Sequence, residues 1–172
     1  TTGATGQSSF AVGLNSTASG DYSTAMSYGS TASGKRSFAF GDNAGSSGEE
    51  SFSFGESVTA SGDNSITLGQ FNVASGTLSV AIGSQISSTA QSSTAFGYGT
   101  EASGDFSTAM GKSTKASGVY STAIGDSTTA SAYADTAMGF STTASGNSST
   151  AMGESTLASG YVSLALGKNT TS

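Results

Sequence analysis

The sequence of 172 residues contains no cysteine, histidine, proline or tryptophan. Without cysteine or histidine the chain has no disulfide, no thiol or imidazole for catalysis, and no thiolate or imidazole ligand for a metal ion. A collagen-like fold is excluded, because it requires glycine at every third position together with proline. Five Lys and Arg residues against 11 Asp and Glu give a net charge of −6, which disfavours a nucleic-acid partner. No apolar run approaches the ~20 residues needed to cross a membrane.

What the sequence contains instead is a 14-residue repeat built around the motif Ala-x-Gly. Twelve copies in constant phase span 168 of the 172 residues without insertion or deletion. Ser53 and Thr67 replace the alanine in two of these copies. The other copies have Ala11, Ala25, Ala39, Ala81, Ala95, Ala109, Ala123, Ala137, Ala151 and Ala165. Each copy also divides into two similar halves with the pattern Ala-x-Gly-x-x-Ser/Thr-x.

The seven-residue spacing does not indicate a coiled coil, because that structure needs bulky apolar residues at its a and d positions. Each glycine inside a helix costs about 1 kcal/mol relative to alanine, and the chain has 25 glycines. In the segment 121–125 the side chains alternate in size, which is typical of a strand. Each copy is therefore predicted to form two short strands and two turns, which is one coil of a parallel β-solenoid.

Side-chain size predicts which face of each strand lies inside. Two strands in a 14-residue coil enclose a narrow space, so its lining is expected to be Ala, Gly, Ser and Thr. Met, Ile and Phe are expected not to fit there. We therefore expect the alanines of the motif to form the interior of the roll, and the buried hydroxyl groups beside them to find hydrogen-bond partners.

One outward position is apolar in all twelve copies. This apolar column consists of Val12, Met26, Phe40, Phe54, Leu68, Ile82, Phe96, Met110, Ile124, Met138, Met152 and Leu166. At about 4.8 Å per coil it would follow a rod of about 58 Å, and a patch of that size is seldom left in water. Burial of each such side chain stabilises by about 1.5–3 kcal/mol. We therefore expect the column to contact further copies of the same chain in cyclic symmetry, and the spacing alone does not distinguish two chains from three.

The outward position of the other strand is serine or threonine in every copy. Its serine row, the candidate ligand face, includes Ser19, Ser33, Ser61, Ser75, Ser103, Ser117, Ser145 and Ser159. A regular hydroxyl array on a flat sheet can order water, so ice binding is one alternative function, although serine lacks the methyl group that such a face would use. A solvated face on a purely structural spacer is the other alternative.

Aromatic residues in the predicted turns and one irregular acidic residue are further candidates. The aromatic residues are expected mainly to pack between coils or against an adjacent subunit, and some to contact a receptor. They are Tyr22, Tyr28, Phe71, Tyr98, Phe106, Tyr120, Tyr133, Phe140 and Tyr161. Asp135 stands at an inward serine position, so its carboxylate is expected to be hydrogen-bonded or displaced outward by a bulge.

The sequence has no catalytic motif, and the protein is not expected to be an enzyme. Without histidine, a serine nucleophile lacks its usual base. The glycines follow the spacing of the repeat and not that of a phosphate-binding loop. No cofactor and no metal ion are expected.

The repeat resembles the head repeat of the trimeric autotransporter adhesins of the YadA type. Its clearest copies are the segments 79–83, 121–125 and 163–167, with the sequences Ser-Val-Ala-Ile-Gly, Ser-Thr-Ala-Ile-Gly and Ser-Leu-Ala-Leu-Gly. The likeness covers essentially the whole chain, so residues 1–172 are interpreted as a single YadA-like head domain. Thr or Phe stands where the family often has Val, which is typical of a distant relative.

The resemblance implies an all-β, left-handed parallel β-roll of about twelve coils, assembled as a homotrimer with the apolar column at its axis. It also implies a position at the bacterial cell surface, outside the outer membrane, with attachment to extracellular matrix or cell-surface proteins, or self-association. The family's basic neck, coiled-coil stalk and membrane anchor are absent. The chain is therefore expected to be a segment of a longer protein that meets a membrane only through that missing anchor.

Overall fold

The computed structural model describes residues 2–172, and its regular secondary structure consists of β-strands. The chain divides into two compact units, residues 1–85 and 86–172. In each unit a short strand alternates with a longer strand along the sequence. Strands in consecutive coils pair in parallel with partners 14 residues apart, as in the pair Thr108↔Thr122. The predicted all-β parallel solenoid of about twelve 14-residue coils is confirmed.

In the first unit the short strands form one parallel sheet and the long strands a second. The short strands are β1 (Gly3–Ala4), β3 (Thr17–Ala18), β5 (Thr31–Ala32), β7 (Gly45–Ser46), β9 (Thr59–Ala60) and β11 (Val73–Ala74). The long strands are β2 (Phe10–Val12), β4 (Thr24–Met26), β6 (Phe38–Phe40), β8 (Phe52–Glu56), β10 (Ile66–Gln70) and β12 (Val80–Ser84). The strands β2, β4 and β6 have only three residues. They flank Ser27, which stands where the other coils have glycine.

The second unit repeats the same two-sheet arrangement. Its short strands are β13 (Ser87–Ser88), β15 (Glu101–Ala102), β17 (Lys115–Ala116), β19 (Thr129–Ala130), β21 (Thr143–Ala144) and β23 (Leu157–Ala158). Its long strands are β14 (Thr94–Tyr98), β16 (Thr108–Lys112), β18 (Thr122–Asp126), β20 (Thr136–Phe140), β22 (Thr150–Glu154) and β24 (Leu164–Lys168). The sequence predicted two similar short strands per coil, whereas the structure has strands of two residues opposite strands of three to five.

Left-handed backbone at every seventh residue turns the chain between the two sheets. Ser113, Tyr120 and Ser127 are consecutive examples, with φ of 52°, 60° and 58°. This region costs an L-residue about 1–2 kcal/mol, and the continuous hydrogen bonding between coils holds it in place. In the turn 118–121, for example, the N–H of Ser121 donates to the carbonyl of Gly118 at 3.1 Å.

Glycine follows the residue of the apolar column in eleven of the twelve copies, because consecutive coils approach there with little room for a side chain. Gly125 has φ of +129°, and a Cβ placed on it would lie 2.0 Å from the carbonyl oxygen of Gly139. The equivalent Ser27 accommodates its side chain with φ of 89°. The Ala-x-Gly motif therefore fixes both the narrow interior and the close stacking of coils.

The interior of both units is narrow but admits larger side chains than the sequence predicted. The expectation that Ile would not fit is wrong, because Ile86 is only 1% exposed. Val58 and Asn72 are also buried, at the same repeat position as the inward Thr128. This position lies where the turn after a long strand enters the short strand, and the bend leaves more room than the facing strands do.

Buried hydroxyl groups fall into two classes. Ser46 and Ser53 face each other across the interior with their Oγ atoms 2.7 Å apart, and Ser37 donates to the carbonyl of its own turn at 2.6 Å. Buried hydroxyls of the second class have no hydrogen-bond partner, contrary to the expectation. They are Ser23, Ser30, Ser65, Thr67 and Ser79 in the first unit, and Thr100, Ser107, Thr114, Ser121, Thr128, Thr142 and Thr156 in the second. Equivalent hydroxyls on consecutive coils are separated by about the 4.8 Å strand spacing, which exceeds hydrogen-bond length.

Candidate interaction surfaces

The residues of the predicted interior are placed on the inner face of the long strands. Ala25, Ala39, Ala81, Ala95, Ala109, Ala123, Ala137, Ala151 and Ala165 are buried. Ala11 is half-buried and packs against the buried alanines of the first unit. Because alternate side chains of a strand point to opposite faces, this placement directs the neighbours of each alanine outward.

The apolar column lies on the outer face of the long strands. Five of its members are 41–65% exposed, namely Val12, Phe54, Phe96, Met110 and Leu166. The other members are half-buried, namely Met26, Phe40, Leu68, Ile82, Ile124, Met138 and Met152. Parallel register places consecutive members side by side, as in Met110↔Ile124 and Ile124↔Met138. Each unit thus carries a continuous apolar stripe that its own coils cover only in part.

A neighbouring column, two residues before the apolar column, differs between the two units. In the first unit it is mostly apolar, with Phe10, Thr24, Phe38, Phe52, Ile66 and Val80. In the second unit it consists of Thr94, Thr108, Thr122, Thr136, Thr150 and Leu164. Two pairs of rings stack on the outer face of the first unit, Phe38 on Phe52 at 5.1 Å between centroids and Phe40 on Phe54 at 5.0 Å. The apolar stripe is therefore wider in the first unit.

The serine row lies on the outer side of the short-strand sheet, in the residues that follow the strands. Ser19, Ser33, Ser61, Ser75, Ser145 and Ser159 are exposed, and Ser103 and Ser117 are half-buried. The Oγ of Ser103 donates to the carboxylate of Glu101 at 2.9 Å. Glu101 in turn lies 3.1 Å from the ammonium group of Lys115 in the next coil. This pair of charges lies in the column beside the serine row, in register with Thr129, and leaves the row itself continuous.

The aromatic residues predicted in turns are about half exposed, except for the still more exposed Tyr161. Tyr98 and Phe140 are the last residues of the long strands β14 and β20 and not turn residues, because the long strands extend two residues beyond the apolar column. Phe106 stacks on Tyr120 with centroids 5.2 Å apart, and Tyr133 meets Tyr120 edge-on at 5.6 Å. We call these three side chains, all in the second unit, the aromatic ridge. They pack between coils as predicted, yet remain 46–54% exposed.

The same turns of the first unit are charged. The guanidinium of Arg36 lies within 2.7 Å of the carboxylates of both Glu49 and Glu50. All three side chains are exposed, so the pairs are worth about 1 kcal/mol or less each. The sequence shows Lys35-Arg36 as a basic cluster and Glu49-Glu50 in an irregular copy, interpreted there as solvated charges and as drift. Their contact was not predicted, although the charges stand at equivalent positions of consecutive copies.

Aspartates at the first turn position join consecutive coils through the backbone. Asp21, Asp63 and Asp105 each accept the N–H of the residue 14 positions earlier, at 2.9, 2.9 and 3.1 Å. Sequence analysis missed this role, but a signal was present: all three follow a turn glycine at the same repeat position.

Asp135 is fully buried and hydrogen-bonded, which is one of the two arrangements that the sequence predicted. Its carboxylate accepts the N–H and the Oγ–H of Ser149, both at 2.9 Å. The other oxygen accepts the N–H of Ala132 at 2.8 Å. Ala132 itself stands at a glycine position of the repeat. The two residues that differ from the repeat in this turn are therefore joined by a hydrogen bond.

Within residues 2–172, no helix has the length and apolarity required to span a membrane. Over the same residues, no group of three or more acidic side chains is arranged to hold a metal ion. The regular features that remain are the two outer sheet faces and the turn edges.

A family model described as the YadA head domain repeat (2 copies) matches most of the chain. The matched segments are residues 4–26, 28–44, 32–55, 46–72, 60–85, 88–114, 116–142 and 144–170. The chain belongs to the YadA head-repeat family. This confirms the resemblance of the repeat motif, and the matched segments lie in both units.

YadA head repeats are the repeats of trimeric autotransporter adhesins, which are bacterial surface proteins. The family is one of adhesins and not of enzymes. A comparison of the sequence with curated proteins gave no match.

Proposed function

We propose that this YadA head-repeat chain is an adhesin head segment assembled as a parallel homotrimer of left-handed β-rolls, with the apolar column at the three-fold axis. The observation that carries the proposal is the apolar column. Every coil has an apolar side chain at this outward position, and its own fold leaves that side chain half-buried or exposed.

Free energy favours covering this stripe. Each apolar side chain contributes about 1.5–3 kcal/mol when it goes from fully exposed to buried. The twelve members are already partly buried, so covering the remainder contributes roughly half of this each, about 9–18 kcal/mol in all, which is comparable with the cost of bringing chains together, roughly 4–15 kcal/mol. Because equivalent coils present equivalent residues, identical chains in parallel can cover one another in register. Three chains, as in the family, would place Phe54, Ile124 and Met138 around a common axis.

The adhesin would act at the bacterial cell surface by multivalent display. Three copies of one extended surface bind matrix or cell-surface proteins, or other heads, with an avidity far above that of a single contact. The serine row and the turn edges remain outside the proposed axis and are the surfaces offered to a ligand. Residues 1–172 would serve as one head domain within this assembly.

The solution mass tests the assembly. Sedimentation equilibrium of the purified chain should give three times the chain mass over a wide concentration range. A mass of one or two chains would contradict the homotrimer. Crosslinking in dilute solution provides an independent count.

Binding to a panel of matrix proteins and to cultured cells tests adhesion, with heat-unfolded chain as the control for non-specific binding. Saturable binding supports the proposal, and absence of binding to every member, including other heads, would leave only a structural spacer. Thermal hysteresis in a cooling experiment would instead indicate ice binding. The ion pair of Glu101 and Lys115 places two charges directly beside the serine row, and serine lacks the methyl group that an ice-binding face would use, so we expect no thermal hysteresis.

A further inference from the structure

The aromatic ridge of the second unit exposes rings that the fold does not need. Phe106, Tyr120 and Tyr133 contact one another, and each remains about half exposed. Beside them Val119 is also exposed. The ridge lies in turns that precede the long strands, outside the apolar column proposed to face the other subunits.

Two of the three rings stand in backbone that disfavours them. Phe106 and Tyr120 have φ of 58° and 60°, the left-handed region in which large L-residues are uncommon. Equivalent turns of this unit have Ser92 and Ser148 with φ of 52° and 59°, so a small polar residue satisfies the same turn. The fold therefore does not require a ring at either position. The same φ is found at Tyr22, Phe71 and Leu78, so the backbone does not distinguish the ridge, which is distinguished by the contacts between its rings.

Charge distinguishes this edge from the same edge of the first unit. Over the paired turn positions 91–92, 105–106, 119–120, 133–134, 147–148 and 161–162, the single charged residue is Asp105. It directly precedes Phe106, and one of its oxygens accepts the N–H of Gln91 at 3.1 Å. The equivalent turns of the first unit contain both cations and anions around Arg36. The ridge thus combines aromatic rings with one negative charge and no positive charge.

We propose that the aromatic ridge binds an extended, arginine-bearing segment of another protein. A cation is attracted to the face of an aromatic ring, and the planar guanidinium group also stacks on rings and donates several hydrogen bonds. The carboxylate of Asp105 and the hydroxyls of Tyr120 and Tyr133 can accept those bonds. The net charge of −6 on the chain favours approach of such a segment. The inference deepens the proposed adhesion by stating the chemistry of the ligand.

Peptides of alternating glycine and arginine, glycine and lysine, or glycine and glutamate serve as probes. Binding to the full chain is measured near 0.15 M salt, where exposed charges are screened beyond about 8 Å. The arginine peptide should bind about two- to fivefold more tightly than the lysine peptide, as expected for a planar cation on exposed rings. The glutamate peptide should not bind. Equal binding of the arginine and lysine peptides, or binding of the glutamate peptide, would overturn the proposal.

A triple variant, F106S/Y120S/Y133T, removes the ridge with residues that the repeat already uses. Ser92, Ser148 and Thr77 occupy the equivalent positions, so the fold should persist with unchanged circular dichroism. Affinity for the arginine peptide should fall at least about tenfold, because buried aromatic anchors dominate protein contacts. Undiminished affinity would overturn the proposal. If the folding control fails, Tyr133→Thr alone, which lies outside the left-handed positions, provides the same readout with a smaller loss.

Tyr22→Ser in the first unit is the matched control. Tyr22 occupies the repeat position of Tyr120 and is equally exposed, at 52%, and its consecutive-coil neighbour is Arg36 instead of a ring. Its replacement should leave the affinity for the arginine peptide unchanged. An equal loss in this variant would overturn the assignment to the ridge. Head-to-head association that disappears in the triple variant would also overturn it, because a second copy of the chain would then be the occupant.

Cell and matrix binding separates this inference from the proposed function. If wild-type heads adhere and the triple variant adheres equally well, the ridge proposal fails and adhesion stands. If wild-type heads adhere to nothing while arginine-peptide binding depends on the ridge, adhesion fails and the ridge assignment stands.

Discussion

The long-strand sheet and the short-strand sheet have similar inner faces and different outer faces. On the long-strand side, Ala123 is buried and Ile124 beside it is half-buried on the outer face. On the short-strand side, Ala116 is equally buried, and the following outward residue is Ser117. The inward alanines satisfy the same steric requirement in both sheets. The outer residues are free of that requirement, so they are the ones that determine what each sheet contacts.

A second contrast lies within the long-strand sheets themselves. The neighbouring column is largely apolar in the first unit, where Phe38 stacks on Phe52. The same column is threonine in five consecutive coils of the second unit, from Thr94 to Thr150. If the apolar column is at the axis of a trimer, the first unit therefore offers the wider contact between subunits.

The largest effect is expected from a charge on the long-strand exterior. Ile124→Asp would place three unpaired carboxylates close to the proposed axis, and burying an unpaired charge costs several kcal/mol. The variant should sediment as monomer or unfolded chain. The matched Ser117→Asp on the other sheet should keep the assembled mass, and dissociation of both variants alike would remove the distinction between the two exteriors.

The next effect is expected from a methyl group at the tight end of the long strand. Gly125→Ala would place a Cβ within 2.0 Å of the carbonyl oxygen of Gly139, at φ of +129°. We expect a loss of about 2–4 kcal/mol in the free energy of unfolding, from backbone strain and overpacking together. Denaturant titration measures it.

Two controls sharpen the glycine comparison. Gly146→Ala, in the turn after a short strand, would also place a Cβ near a carbonyl oxygen, 2.2 Å from that of Gly160, but without the positive φ of Gly125. It should therefore cost less, as Ala90 and Ala132 at the same repeat position indicate. Ser27→Gly should stabilise the chain, since it relieves a serine held at φ of 89°. A larger loss for Gly146→Ala than for Gly125→Ala would reverse the order expected for the two sheets.

Overfilling the shared interior should cost slightly less. Ala123→Leu adds three carbons in a fully buried position, and such overpacking costs about 1–3 kcal/mol. Ser117→Ala, on the outer side of the opposite sheet, should change the free energy of unfolding by less than about 0.5 kcal/mol. Thermal unfolding of the two variants side by side checks the difference, and a silent Ala123→Leu would mean that the interior is wider than its lining indicates.

An effect as large as that of overfilling the interior is expected at the buried carboxylate. Asp135→Ala would leave the N–H of Ala132 without the acceptor that it has at 2.8 Å, at a cost of about 1–3 kcal/mol. Asp135→Ser restores the residue of the repeat and should cost less. The two variants are compared by urea unfolding, and a more stable Asp135→Ala would contradict the compensating role of the carboxylate.

Much of this architecture could be predicted from the sequence because one steric rule recurs in every coil. The spacing of Ala123 and its equivalents identified the solenoid and its interior, and the apolar residue beside each alanine identified the outer face. The same reasoning failed at Ile86, because it treated the interior as uniformly narrow and ignored the extra room where a turn enters a strand.

Other features could not be predicted because they depend on backbone geometry that many residues tolerate. The left-handed position of each turn is occupied by residues as different as Asn64, Leu78 and Tyr120, so residue type carries little signal there. Asparagine at four of these positions was the one available hint, since it adopts this region more readily than most residues. The contacts between the rings of the aromatic ridge depend on this left-handed backbone, which the sequence does not reveal.

The close approach of Gly125 to the next coil also limits how such a chain can change in length. Adding or removing a single residue would break the 14-residue register between the coil that carries the change and its neighbour, so that a Cβ would meet a carbonyl there unless the chain bulges outward. Duplication or excision of fourteen residues keeps every glycine opposite the carbonyl of its equivalent in the next coil. Genes for such proteins can therefore be expected to gain and lose whole coils, which alters the reach of the protein from the cell in fixed steps.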